Sequence, residues 1–463
     1  MEHSISTPSV AARIAPARPS MSLWLAVLIL PLLLLAPALW NGYPLLQFDT
    51  GGYLARWYEG YLVPSRSTVF GLYLHFGQAS YFWANLVLQA IATLWILQLT
   101  LRVFGLARPF RLVLIGLILI ATTALPWLAS MLLTDIFAGL SVLSLFVLIT
   151  QGSKTSTAEK WLLFGFTSFA AATHSATLGV LFGLCCAAWL LRPFLGPRLS
   201  FAGLIAGSLT IVTGAAMLLV ANFALSGQWA WTPGGAGVTF GRMMQDGIVA
   251  QYLRDNCPRL QLKLCPYREQ LPATADDFLW GADSIFDKLG RFEGMDEEMG
   301  YIAEHALKAY PLWQAKAAAV ATAQQLVDVA TGEGTTGWIP HTYGIIERYL
   351  PGQVATMRAA HQQKWEINFP AVNWVHVPVA LGSMLLLVGL LGRGLWQRRL
   401  DDVTLLAGTA ALALLGNAMI CGVISGPHDR YGARMVWIAT FVVLIAATKI
   451  FVDRDAAAAD PAD

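Results

Sequence analysis

Apolar runs about twenty residues long, parted by short polar or basic stretches, set the pattern of this chain. Runs of that length match the thickness of a bilayer's hydrocarbon core, and they predict about ten membrane-spanning helices. The expected spans are about 22–40, 81–101, 110–128, 132–150, two arms of a hairpin within 161–191, 199–225, 372–392, 403–424 and 431–450. Basic residues check the alternation. Arg13 and Arg18, Arg102 to Arg111, Lys154 and Lys160, Arg192 and Arg198, Arg393 to Arg399, and Lys449 with Arg454 all fall on one side, which the positive-inside bias makes cytoplasmic. The expected organisation is a cytoplasmic tail 1–21, a membrane domain 22–225 with a first outer loop 41–80, an extracytoplasmic segment 226–370, a second membrane block 371–451, and a disordered cytoplasmic tail 452–463.

Two segments admit alternatives. Leu23–Leu39 behind Arg13 and Arg18 resembles a signal peptide, with Ala36-Pro37-Ala38 as a cleavage-like site. Its length and the interfacial Trp40 favour a retained helix, and either choice leaves Asp49 on the outer side. The block 161–191 reads as one long helix or as a hairpin turning near His174. Because both flanks are basic, the hairpin is expected, with arms of about 15 residues that are short for full spans. In the segment 226–370, Asp296–Ala330 is strongly helical. Pro311 is expected to begin a second helix there, whose apolar residues would suit a membrane surface.

With 56% hydrophobic and 13% charged residues, the chain is an all-α polytopic membrane protein in class, and its net charge of +2 adds little. It has no basic stripe for nucleic acid, no Walker loop and no dinucleotide fingerprint, so no nucleic-acid partner is expected. Cys257 and Cys265, eight positions apart in the outer segment, are expected to form a disulfide, the alternative being two free thiols. Cys185, Cys186 and Cys421 lie within spans and fit no zinc spacing, so no metal ligands are assigned.

Once topology is fixed, the polar residues at membrane depth sort to one side. Asp49, Tyr53, Arg66 and His75 belong to the first outer loop. Asp135 opens the fourth span, His174 marks the hairpin turn, and His428, Asp429, Arg430 and Arg434 bracket the outer start of the last span. Charged groups at a membrane boundary are costly unless paired or functional. Asp49 is read as a general base and the arginines as a phosphate grip. Tyr53, Arg66, Asp135, His174, Asp429, Arg430 and Arg434 are the candidate substrate contacts. The plainer alternatives are a loop or helix-cap role for Asp49, an N-cap role for Asp135, snorkelling anchors for Arg430 and Arg434, and simple packing for His174.

These residues carry a resemblance. Phe48-Asp49-Thr50-Gly51-Gly52-Tyr53 with Gly60 and Ser65-Arg66-Ser67-Thr68 resembles the first outer loop of the GT-C superfamily of polytopic glycosyltransferases, a group that includes the protein O-mannosyltransferases. Leu133-Thr134-Asp135-Ile136 resembles the start of that superfamily's fourth helix, and Gly426-Pro427-His428-Asp429-Arg430-Tyr431 its late Arg-Tyr element. The resemblance covers, loosely, the first 225 residues and the last 95 or so. It implies a GT-C fold of about ten spans with a mainly helical extracytoplasmic segment. It further implies a polyprenyl-phosphate-linked sugar donor, contact with membrane lipids, an extracytoplasmic acceptor, and a place in the plasma (inner) membrane. The chain departs from the pattern where Thr50 follows Asp49 in place of a second acid, which leaves a divalent metal open as the one cofactor in question. It departs again where Ser67-Thr68-Val69-Phe70 follows Arg66.

Three other classes compete with this reading. A transporter or flippase should carry its ionisable groups at the bilayer midplane on broken helices, often within inverted repeats, and no repeat is evident here. An O-antigen polymerase or ligase shares the many spans and large outer segment but gives no account of the Asp49 loop. A non-catalytic assembly subunit is the third. The sugar and the acceptor are not readable from the sequence.

Overall fold

The computed structural model describes residues 28–459 apart from Pro233 and Pro258. The expected tail 1–21 and the first residues of span one therefore lie outside the described residues. The described chain is helical throughout; its one isolated parallel bridge joins Leu45 to Met131.

The first half contains α1 (Leu30–Leu34), α2 (Ala36–Asn41), α3 (Thr50–Glu59), α4 (Thr68–Gly77), α5 (Trp83–Val103), α6 (Pro109–Thr122), α7 (Leu125–Ala129), α8 (Asp135–Thr150), α9 (Thr157–Thr173), α10 (Ser175–Leu195) and α11 (Phe201–Ser226). An insert follows, with α12 (Gly235–Gln245), α13 (Ile248–Asn256), α14 (Ala275–Leu279), α15 (Ile285–Lys288), α16 (Arg291–Ala309), α17 (Pro311–Val327), α18 (Pro340–Tyr349) and α19 (Val354–Ala359). Three long helices close the chain: α20 (Phe369–Trp396), α21 (Asp402–Ile424) and α22 (Asp429–Ala459). Among the described residues, six helices are long and apolar enough to cross a membrane: α5, α10, α11, α20, α21 and α22. The molecule thus has the make-up of a helical membrane protein.

Local chemistry sets many of the boundaries. Proline occupies the start of α6, α17 and α18, where its missing N–H costs nothing. Ser156 and Glu159 form a capping box at the start of α9. The span expected at 110–128 is broken into α6 and α7, since Pro126 cannot continue the first helix. The helix expected to turn near His174 does break there, with His174 in an extended conformation between α9 and α10. Its second arm, α10, is longer than expected at 21 residues. The end of the chain also differs: 452–459 continue α22 as helix, because the run Ala456–Ala459 has high helix propensity.

α8 is the axle of the bundle. Almost every one of its residues is buried, as a helix apolar on all sides must be. Helices α5, α9, α11, α21 and α22 surround it. Its N-terminal Asp135 is itself buried and lies level with the start of α22, where it meets Arg430.

The insert has two parts. Residues of α12 to α16 form a core of their own around Phe240, Phe278, Phe286, Met295 and Ile302. Cys257 and Cys265 are joined by a disulfide in this part. The stretch from Val329 to Ala360, by contrast, joins the core of the bundle. Between them α17 packs along α21, burying Ala321 and Gln325, while Leu312 and Val320 stay exposed.

Charge separates the two ends of the bundle. At one end Lys154 pairs with Asp402 at 3.0 Å, Arg102 pairs with Glu159 at 2.7 Å, and Arg198 donates to the Leu400 carbonyl. The other end holds Asp49 and its neighbours.

Candidate active site

Asp49 precedes α3 but caps nothing; its side chain makes no hydrogen bond to the helix backbone. One carboxylate oxygen instead accepts from Arg66 Nη2, and the other from Arg430 Nη1 at 2.6 Å. Arg430 then reaches Asp135, with Nε 2.7 Å from Oδ2. Arg434, one turn further along α22, lies 3.8 Å from Asp135 Oδ1 and donates to His174 Nδ1 at 3.3 Å. Five residues from four separate stretches of sequence thus form one ionic network, with His174 at its edge. Arg430 and Arg434 do not snorkel: their side chains are 11% and 0% exposed, and Asp135 is 2% exposed.

Each side chain is placed by its element. Arg66 lies against the faces of Gly52 and Tyr53; a Cβ on Gly52 would stand 3.2 Å from Arg66 Cγ, so this residue must be small. On Gly51 a Cβ would fall 2.6 Å from the Thr342 backbone. The two glycines are in the helical first turn of α3, kept bare so that Arg66 and α18 can approach. Arg434 is anchored by Asn417, whose Oδ1 accepts from Nη2 at 2.7 Å and from Nε at 3.1 Å. The Tyr431 ring lies between the two arginines, 5.7 Å from Arg430 and 5.5 Å from Arg434.

The network borders a cavity of about 1020 Å³. Asp49, Tyr53, Arg66, His174 and Arg430 line it, whereas Asp135 and Arg434 sit behind Arg430. Apolar side chains from α11 and α21, Leu218, Ile420 and Ile424, form one wall. Another comes from the insert, with Trp231, Leu279, Trp280 and Phe292. Asp429 is not with the site residues: its Oδ1 accepts from the Ala330 amide at 2.8 Å and holds the loop before α18. His75 packs edge-on to Tyr58.

Sequence reasoning missed three participants. Glu333 accepts from the Arg430 amide and from His428 Nδ1, both at 2.8 Å, so it fixes where α22 begins. Its signal was an acid between Gly332 and Gly334. Asn417 was legible as a polar residue inside an apolar helix. Arg56 was hidden. It is fully buried and donates to Thr68 Oγ1 at 2.7 Å and to the Val63 carbonyl at 2.6 Å, with Nε unpaired among the described residues.

The electrostatics follow. Burial pushes the Asp49 carboxyl up, but the Arg66 and Arg430 guanidiniums beside it more than offset this and hold it at about 2. Burial lowers Arg56 to about 10, which leaves it charged at neutral pH. Three guanidiniums, Arg66, Arg430 and Arg434, thus meet two carboxylates, Asp49 and Asp135, while Arg56 stands apart on Thr68 and the Val63 carbonyl. A buried excess of positive charge is unfavourable unless an anion joins it.

Among the described residues no three His, Cys, Asp or Glu side chains gather as metal ligands. Thr50, the residue after Asp49, spends its hydroxyl on the backbone: it accepts from the Gln47 amide at 3.0 Å and donates to the Leu132 carbonyl at 3.1 Å. No protein-family model, curated protein or solved structure matches the chain.

Proposed function

We propose that the protein is a membrane glycosyltransferase of GT-C type that moves a sugar from a polyprenyl-phosphate-linked donor to an extracytoplasmic acceptor. The excess of guanidinium over carboxylate at the Asp49 cavity carries this reading. A phosphodiester donor brings one negative charge, and its leaving phosphate ends with two. A network of three guanidiniums and two carboxylates has positive charge to spare and favours the departing dianion over the incoming monoanion, which is the differential binding that lowers a barrier. The apolar wall of Leu218, Ile420 and Ile424 suits the lipid part of such a donor.

The step is a displacement at the anomeric carbon. The acceptor oxygen forms the new bond, the bond from that carbon to the phosphate oxygen breaks, and its electron pair stays on the phosphate. The acceptor's proton passes to Asp49. In the substrate-free state Asp49 is a weak base because two guanidiniums hold it. A donor phosphate competes for Arg66 and Arg430, so it loosens those pairs and raises the basicity of Asp49 when it is needed.

For topology we keep ten crossings: α1 with α2, α5, α6 with α7, α8, α9, α10, α11, α20, α21 and α22. The end bearing Arg102, Lys154 and Arg198 then faces the cytoplasm, and the cavity opens on the outer side of the plasma (inner) membrane. A transporter is the weaker reading, because the ionic network lies where helices begin and end rather than at the centre of broken helices. Mass spectrometry of envelope glycolipids and glycans from cells with and without the gene tests the proposal. The expected result is the loss of one sugar increment from one component; identical profiles would remove it.

A further inference from the structure

The cavity is also lined by a histidine that the ionic network does not use. His341 is the second residue of α18, lines the cavity, and has no hydrogen-bond partner among the described residues. It is held firmly in place. Thr342 Oγ1 accepts from the Gly51 amide at 2.9 Å and donates to the Gln47 carbonyl at 3.1 Å, while the Phe48 amide donates to the Gly334 carbonyl at 3.2 Å. His341 Nδ1 would stand 3.0 Å from a Cβ on Gly51, so the ring sits over the first turn of α3, two residues from Asp49. Burial and then the Arg66 charge depress its titration, against weaker opposing effects of Glu59 and Asp49. The ring is thus neutral at neutral pH, with one donor and one acceptor nitrogen.

A neutral imidazole offers phosphate no charge, which the guanidiniums already supply. It suits hydroxyls. In the same cavity Trp231 and Trp280 leave large indole surfaces exposed to the interior. A ring with apolar faces and hydroxylated edges meets both needs, stacking on indole while bonding to imidazole. We propose that His341, Trp231 and Trp280 form the acceptor subsite and that the acceptor is a saccharide; this rests on the glycosyl-transfer reading above.

The test uses the full-length protein reconstituted in liposomes, with radiolabelled polyprenyl-linked sugars extracted from the producing cells as donor. Three acceptor fractions from the envelope are offered separately: polysaccharide, lipid and protein. Label should enter the polysaccharide fraction. His341→Ala should raise the KM for that fraction about ten-fold, the worth of one neutral hydrogen bond, and leave the donor KM unchanged. His341→Gln should recover most of the loss, and Trp280→Ala should raise the same KM. Label entering only lipid or protein, or an unchanged acceptor KM in His341→Ala, would overturn the subsite while leaving glycosyl transfer standing. A wild-type protein that labels no fraction would overturn both.

Discussion

Arg430 Nη1 meets Asp49 Oδ2 at 2.6 Å although 381 positions of chain separate the two residues. The contact ties the first loop to the last helix. It also makes the proposed base and the proposed phosphate grip compete for each other until substrate arrives.

Asp49→Asn keeps the shape of the side chain and removes its basicity. The variant should insert and fold normally but transfer sugar about 10²-fold more slowly or worse, the usual scale of a lost general base. Arg430→Lys, which keeps the charge and loses the fork, should mainly weaken donor use. Initial rates against donor and acceptor concentration separate the two effects. Near-normal transfer by a correctly inserted Asp49→Asn protein would end its assignment as base.

Asp135 is expected to matter for stability as much as for activity. In Asp135→Asn, Arg434 loses its nearest carboxylate and Arg430 loses one of two, both of them buried. Breaking a buried ion pair from one side costs about 3–5 kcal/mol. Thermal unfolding in detergent should show a clear drop for this variant and a smaller one for Asp49→Asn, since Arg66 is more exposed than Arg434.

The Glu333–His428 pair should give the protein a pH signature. The hydrogen bond to Glu333 raises His428 above its usual 6.5, so its contribution is complete below 6.5 and fades as pH climbs through the raised value. Burial pushes Glu333 up, but His428 and the Arg430 amide hold it below 4.5, so its contribution is complete above 4.5 and fades as pH falls through the lowered value. Both are present between 4.5 and 6.5. The melting-temperature gap between wild type and His428→Gln should be widest in that window and close in alkali. A gap that widens above neutral pH would contradict the pairing.

Gly51→Ala tests the close approach of α18. The added methyl group would meet the Thr342 backbone, so overpacking should cost about 1–3 kcal/mol. Because the same shift moves His341, acceptor use should fall further than donor use. Ala at Gly344, where nothing lies within 4 Å, is the control and should leave stability nearly unchanged.

Much of the bundle was legible because hydropathy follows length and basic residues mark one end. The membership of Asp49, Arg66, Asp135, His174, Arg430 and Arg434 in one cluster could be read for the same reason: alternation brings every second boundary to the same side. Asp429 was misplaced because adjacency to Arg430 in sequence says nothing about direction on a helix; successive residues point about 100° apart. Glu333 and His341 could not be found in this way. They lie in a loop and a short helix whose path is set by contacts with Gln47, Phe48 and Gly51, and such contacts leave no periodic trace. The extent of α22 beyond 452 was missed because an alanine run reads as low complexity before it reads as helix.

The separate core of α12 to α16 has a consequence for variation. Trp280 and Phe292 reach the cavity from a part of the insert with a core of its own, whereas Arg66 and Arg430 are tied to each other through Asp49 in the bundle. Substitutions in that part can reshape one side of the chamber while the ionic side stays intact. Under the glycosyl-transfer proposal, such variation would alter the choice of acceptor and leave the phosphate grip as it is.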